Sequence, residues 1–409
     1  VIVNAEGSTI TPSVLFVPQN GSQLVIGEFA RSSAARQPGT LLYDAKRFIG
    51  KHYDSERLRH DMVGLPFDVV PRAVTEDEKL VLKPYLLAQR DGGQPIMFAP
   101  EDVGSHIVRH LKAAAEARIG QSIKLAVLAV PVGFSRQQIE ATRRAATLAG
   151  LEVMRMIHEP TAAAMAYGLH EAGGNGGSYT VMVYDMGGGT LDVSLLNLNN
   201  GIFEVIAAAG DNRLGGQDFS LAMLNLIIAK ASSAFGIPEV AIRADVEAMR
   251  ALREDAERIK VEMNDECDCS GLFYDGDVGA TVQLELPSSL KAQSTLTFTR
   301  AEYENDDATR SLLARALEPV QQVLSRTALN IDQVDELVLV GGSTRMAKIR
   351  SLLREHFGGK EPNCAVSPEE AVAHGTAIQA AILTDRKRIS VGATEASLHA
   401  HLADDLQRQ

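Results

Sequence analysis

Two glycine-rich turns in this chain have the composition to hold phosphate. In VMVYDMGGGTLDVSLL an apolar strand ends at Asp185, Gly187, Gly188 and Gly189 turn the chain, and Thr190 opens a return strand carrying Asp192. Glycine admits positive φ and puts no Cβ between the backbone and an approaching oxyanion. Successive N–H groups in such a turn form an anion-binding concavity. Asp185 stands where it can reach a magnesium ion through water, because hard cations take oxygen ligands. A tight hairpin with no ligand is the alternative reading. In ELVLVGGSTRMAKIRSLL a buried strand runs through Gly341 and Gly342 into a helix expected to present Ser343, Thr344 and free amides in its first turn. Helix starts attract anions, although strand–Gly-Gly–helix is also a common structural junction.

Three further segments carry weaker signals. GDNRLGGQDF sets Gly215 and Gly216 before a helix with Asp218 in its first turn, either near an anion or as a helix-start acid. Glu159 in IHEPTAA follows a strand and precedes Pro160, a natural helix start, so its carboxylate organises a proton or water, or caps. His158 beside it reads as a packed or surface histidine. Lys46 and Arg47 in YDAKRFIG read, by themselves, as a surface turn.

The elements that position these residues belong to a chain of 409 residues, 45% apolar and 22% charged, enough for two or three domain-sized units. A net charge of −12 argues against a nucleic-acid groove, which needs a basic stripe, but not against ATP, whose charge a few amides and one magnesium ion offset locally. Of three cysteines, Cys267 and Cys269 form a C-x-C with no second ligand pair nearby. No apolar run is expected to reach the roughly 20 residues that cross a bilayer.

The opening VIVNAEGSTITPS reads as the middle of a strand and turn, so a native start upstream of Val1 is expected. Short strands VIVN, SVLFV and QLVIG are followed by a helix from Glu101 towards Gly120, strand LAVLAV, a helix capped by Ser135, strand EVMRMIHEP and the helix TAAAMAYGL. GGNGG at 173–177 resembles a linker. Beyond it come three strands, helices near 217–235 and 242–264, a strand-like stretch at 265–299, one helix around 300–329, strand ELVLV, a helix at RMAKIRSLLREHF and a helix from Pro368. This order predicts an α/β fold in two lobes, 1–172 and 173–383, with a peripheral subdomain at about 217–300 and a polar tail at 384–409.

YDAKRFIGK, IHEPTAAAMAYGL, DMGGGTLDVS, RLGGQDF, LREDAERIKVEM and VLVGGSTRMAKIR, in this order, closely resemble the ATPase domain of the seventy-kilodalton heat-shock chaperone family, to about Leu383. Within it, YDAKRFIGK, AMAYGLH, GGTLDVSLLN and LGGQDF are most similar to microsomal members that consist of the ATPase core without a peptide-binding domain. The resemblance implies an actin-like, ribonuclease-H-like fold with a central nucleotide cleft between two lobes, ATP or ADP with Mg2+, and ATP hydrolysis. It assigns Lys46 to the γ-phosphate and attacking water, Glu159 to the metal and water network, Asp185 to the metal through water, and Gly187, Gly188, Gly189 and Thr190 to the phosphates. By the same resemblance Asp192 is a further acid beside the loop, and Gly215, Gly216 and Asp218 lie near phosphates and ribose. Glu257 and Lys260 are expected to hold the adenosine, and Gly341, Gly342, Ser343 and Arg345 to form the adenosine motif.

Three departures from the family pattern stand out. The family's first phosphate hairpin is missing because the chain begins downstream of it. Val261 replaces the adenine-stacking arginine, removing a cation–π contact, with Asn264 at the adjacent serine position. After Leu383 no family-type linker or peptide-binding sandwich is legible. The implied function is a weakly hydrolysing chaperone-family core of the secretory pathway, in the endoplasmic reticulum lumen or microsome, with the cytoplasm as the alternative. J-domain co-chaperones and nucleotide exchange factors are the implied partners, with no nucleic acid, no membrane span and no peptide client in a family-type groove. A nucleotide-sensing scaffold with impaired hydrolysis and a sugar kinase of the same superfold are the other readings.

Overall fold

A computed structural model describes residues 1–53, 56–62, 65–76, 78–169, 178–199, 201–264, 281–285, 295–363 and 365–384. GGNGG, Cys267, Cys269 and the tail from 385 lie outside the described residues. Two compact units emerge: Val1–Glu159 with the described residues from Thr376, and Pro160–Gly375.

In the first unit, VIVN is not the expected strand. The Asn4 side chain takes up the local backbone instead: its Oδ1 accepts from the N–H of Glu6 (3.1 Å) and of Ser8 (2.8 Å), which makes a loop. Strands β1 (Leu15–Pro18), β2 (Val25–Ile26) and β3 (Gly39–Leu42) form an antiparallel sheet in the order β2-β1-β3, with helix α1 (Glu28–Arg36) packed on it. The short helices α2 (Ala45–Phe48) and α3 (Glu56–Asp61) precede a second antiparallel sheet of β4 (Val69–Glu76), β5 (Lys79–Ala88) and β6 (Ile96–Phe98). Helix α4 (Pro100–Ile119) ends where Gly120 adopts φ 73°. A βαβ unit follows: β7 (Leu125–Val130), α5 (Arg136–Leu148) and β8 (Glu152–His158), the strands pairing in parallel. Ser135 and Gln138 cap α5 reciprocally, as the sequence predicts for Ser135. Leu15, Phe48, Leu58, Leu86 and Val103 have no solvent exposure and anchor the core of this unit.

Helix α6 (Glu159–Ala166) starts at the unit boundary. The second unit is built on β9 (Tyr179–Met186), β10 (Leu191–Asn199) and β11 (Ile202–Asp211), an antiparallel meander in the predicted order. Helices α7 (Gly216–Phe235), α8 (Glu239–Ala244) and α9 (Val246–Glu262) come next, then the antiparallel pair β12 (Thr281–Glu285) and β13 (Thr295–Thr299). The helix expected over 300–329 is two, α10 (Arg300–Asn305) and α11 (Asp307–Thr327). Asp306 divides them, because its carboxylate accepts from the N–H of Ala308 (3.0 Å) and Thr309 (3.2 Å) and caps α11.

Strand β14 (Glu336–Val340) lies parallel to β9 and completes the sheet order β11-β10-β9-β14. Residues Gly342–Arg345 form a 3-10 turn, so helix α12 (Ala347–His356) begins later than expected and does not carry Ser343 and Thr344 in its first turn. Helix α13 (Ala371–Thr384) follows a turn at 368–370. It meets α6 so closely that a Cβ on Gly375 would stand 1.7 Å from the Ala162 carbonyl oxygen.

Among the described residues, α7 alone is long and apolar enough to cross a bilayer, which the sequence reading did not expect. Its Phe219, Met223, Ile227 and Ile228 are buried in the core of the second unit, which accounts for its apolar character. Tyr184 of β9 is also wholly buried there, its hydroxyl donating to the Ala316 carbonyl at 3.1 Å.

Candidate functional site

The β9–β10 hairpin places Asp185 and Asp192 directly opposite one another, with residues 187–190 as the loop. The Gly187 N–H closes the loop by donating to the Thr190 carbonyl at 3.0 Å. The N–H groups of Gly188, Gly189 and Thr190 find no acceptor among the described residues. Three adjacent main-chain donors without a protein acceptor are what an oxyanion requires.

The loop carbonyls are engaged elsewhere. The first amides of α7 donate to them, Gly216 to the Gly187 oxygen at 3.0 Å and Gln217 to the Gly188 oxygen at 2.8 Å. A helix start whose unpaired N–H groups would suit an anion thus holds the loop in place. Only glycine allows this approach: a Cβ on Gly215 would lie 2.5 Å from the Gly189 nitrogen. Asp218 accepts from the Gly215 N–H at 2.9 Å and caps the helix.

The second turn abuts the first. Gly341 has φ 83°, and a Cβ there would meet the Met186 carbonyl oxygen at 2.3 Å and Asp185 Oδ1 at 2.9 Å. The Ser343 hydroxyl donates to the Gly187 carbonyl at 2.8 Å. Arg345 forks onto Glu369, with Nε to Oε1 and Nη2 to Oε2 both at 2.7 Å. Burial alone would push the Glu369 carboxyl up, but the Arg345 hydrogen bonds and charge outweigh it and hold the group below the usual carboxylate range. On α9, buried Lys260 donates to the Gly216 carbonyl (3.0 Å), Ser220 Oγ (2.9 Å) and Glu257 Oε2 (2.8 Å). Asn264 receives the Ala347 N–H at 2.9 Å, securing the start of α12, while Val261 is 46% exposed.

Lys46 and Glu159 lie in the first unit. Rather than a plain surface turn, YDAKRFIG forms α2, seated by buried Ala45 and Phe48. Lys46 Nζ reaches Glu159 Oε1 at 2.8 Å, beside the carboxyl ends of parallel β7 and β8, the end at which α/β sheets bind ligands. Asp44 initiates α2 in a left-handed conformation, φ 56°, with its carboxylate 3.3 Å from Arg47. Burial raises the Asp44 carboxyl above the usual aspartate range, Arg47 pulls it down and Asp61 adds to the rise. His158 Nδ1 is buried without a hydrogen-bond partner among the described residues.

The structure therefore brings together Asp185, Gly187, Gly188, Gly189, Thr190, Asp192, Gly215, Gly216, Asp218, Glu257, Lys260, Gly341, Gly342, Ser343 and Arg345 within the second unit, and Lys46 with Glu159 in the first. Sequence reading missed Glu369, although SPEE at 367–370 is a helix-start pattern that marks ordered carboxylates. The donor set fits a hydrated magnesium ion: Asp185 and Asp192 are paired oxygen donors beside the free amides, and no cluster of three or more His, Cys, Asp or Glu exists among the described residues to enclose a bare cation. The described cavities are lined by other residues of the first unit, such as Lys51, Lys83 and Arg144.

The family model for "Hsp70 protein" matches residues 1–392. The heat shock 70 kDa protein BIP3 of Oryza sativa subsp. japonica is 39% identical over 393 residues, which are 95% of this chain and 54% of that protein. The chain thus spans about half the length of the curated relative it matches. Two glycine turns at the carboxyl ends of neighbouring parallel strands, in a chain matched almost throughout, place it in the Hsp70 family, with that family's actin-like ATPase fold.

Proposed function

We propose that the chain binds ATP or ADP with Mg2+ and hydrolyses ATP slowly, as the core of an Hsp70-type chaperone. The observation that carries this reading is the row of acceptor-free amides at Gly188, Gly189 and Thr190, between two facing aspartates on a clamped loop. Phosphoryl transfer to water depends on positioning and charge neutralisation, not on covalent help from the protein. The loop amides bind and orient the phosphate oxygens. In the first unit, Glu159 is suited to order a water, and Lys46, already drawn to that carboxylate, supplies positive charge beside it. Bound magnesium, held through water by Asp185, would neutralise the charge that builds on the phosphates.

Finer features belong to the same proposal. The resemblance to microsomal ATPase-core members, together with the BIP3 relative, supports a role in protein folding in the endoplasmic reticulum lumen, with J-domain proteins and exchange factors as partners. Phosphate release should be measured for the parent, Glu159→Gln and Asp185→Ala. Both variants are expected to lose at least about tenfold in turnover; unchanged rates in both would sink the assigned site. A melting temperature indifferent to MgADP would sink nucleotide binding itself.

A further inference from the structure

We infer that Asp44 is a positioning residue, which aims Lys46 at Glu159 by setting the start of α2. The inference deepens the proposed function and rests on it for the consequence in turnover, while the placement of Lys46 stands on geometry alone.

Among the described residues, three that are not glycine have positive φ: Asp44, Glu78 and Ala328. Glu78 lies in the turn between β4 and β5, and Ala328 ends α11, so chain reversal accounts for both. Asp44 differs, because it begins a helix. An aspartate there ordinarily takes an extended backbone and caps the first amides with its carboxylate. At φ 56° and ψ 21°, Asp44 makes no such side-chain bond. A residue kept in that region is held by its surroundings, and such positions gather where geometry serves function.

The surroundings show what is held. Helix α2 has four residues, too few to stand on its own hydrogen bonds. Ala45 and Phe48 are buried and fix its depth. Charged groups at its two ends fix its rotation. At the front, the Asp44 carbonyl accepts the Arg47 N–H at 2.8 Å and the Asp44 carboxylate lies 3.3 Å from Arg47 Nε. Behind, Lys51 reaches Asp61 of α3 at 2.8 Å. Lys46 projects from this fixed turn, its side chain 63% exposed, and meets Glu159 at 2.8 Å. With Phe48 pinned in the core, any relaxation at Asp44 is absorbed by the residues between them, Lys46 included.

Carbodiimide coupling of the unliganded protein, read by mass spectrometry, joins an amine to a carboxylate only where the two touch. Lys83 and Glu76, 2.9 Å apart on β5 and β4, supply an internal reference for folding. In Asp44→Ala the Lys46–Glu159 product should fall roughly two- to fivefold against that reference, the range spanned by an exposed ion pair. Asp44→Asn tolerates the left-handed backbone and keeps an oxygen towards Arg47, so it should restore the parent yield. Asp44→Gly keeps only the backbone and should fall between them. A parent that couples Lys83 to Glu76 but not Lys46 to Glu159 would overturn the inference. So would an Asp44→Ala yield equal to the parent's, or an Asp44→Asn yield as low as that of Asp44→Ala. In phosphate release, Asp44→Ala should lower kcat by the same factor and leave MgADP affinity unchanged. Coupling lost with turnover unchanged supports the positioning role and counts against Lys46 in the proposed reaction, so the two readings fail separately.

Discussion

The two glycine turns of the second unit end neighbouring parallel strands, with Val340 of β14 in register with Asp185 of β9, yet they do opposite things. The hairpin at 187–190 has no side chain at three of its four positions and displays three free amides. The turn at 341–345 has side chains and directs them into the protein: Ser343 to Gly187, Thr344 to the Gly341 carbonyl, Arg345 to Glu369. The second turn also carries main-chain donors, the amides of Gly342 and Ser343, which find no acceptor among the described residues. One turn displays and the other braces. Similar sequence signatures do not imply similar duties, because a turn's chemistry depends on which groups its neighbours have already engaged.

The sharpest way to break this contrast is through stability. Gly341→Ala places a Cβ against the Met186 carbonyl at positive φ. Positive φ with extended ψ costs an L residue about 1–3 kcal/mol and overpacking about 1–3 kcal/mol. Urea denaturation should show most of that sum; a variant as stable as the parent would mean the second turn is not a brace. Gly188→Ala is the converse. A Cβ there meets nothing within 4 Å, so folding stability should move by no more than about 0.5 kcal/mol. MgADP affinity should fall by roughly tenfold or more, as expected when a hydrogen bond to a charged group is displaced. Intact affinity would deny the hairpin its role.

The smallest effect concerns the Arg345–Glu369 pair. Because the folded protein holds the Glu369 carboxyl below its ordinary value of 4.5, the pair's stabilisation is present above that value and is lost as pH falls through the lower, folded one. Arg345 is partly exposed, so the magnitude is about 0.2–1 kcal/mol. Denaturation of Glu369→Gln and parent between pH 6 and 3 should show the difference shrinking at the acid end. A difference independent of pH would place Glu369 outside the brace.

How much of this was legible in the sequence follows from the range of the interactions involved. Strand ELVLV, the meander around GGGT and the Ser135 cap depend on hydrophobic runs, consecutive glycines and side chains three residues apart, and all stand where the sequence put them. The Asp306 break was also readable, because NDD before a helical run is a capping pattern, but the amphipathic period across it was read as continuous. Other features were not readable. Lys46 meets Glu159 across 113 residues, and Ser343 meets Gly187 across 156; no local pattern encodes either. The family resemblance assigns Lys260 and Ser343 to the adenosine, while their hydrogen bonds to Gly216 and Gly187 join segments far apart in sequence.

The close crossing of α6 and α13 has a consequence in polymer terms. The segment Pro160–Gly375 begins and ends at the same place, with Ala162 against Gly375, so it has the topology of an insertion. Once it folds, the long excursion that would otherwise separate the two pieces of the first unit is shortened to a contact, and the closure entropy of joining them falls with it. A methyl group at Gly375 would press on the Ala162 carbonyl and hold those two ends apart.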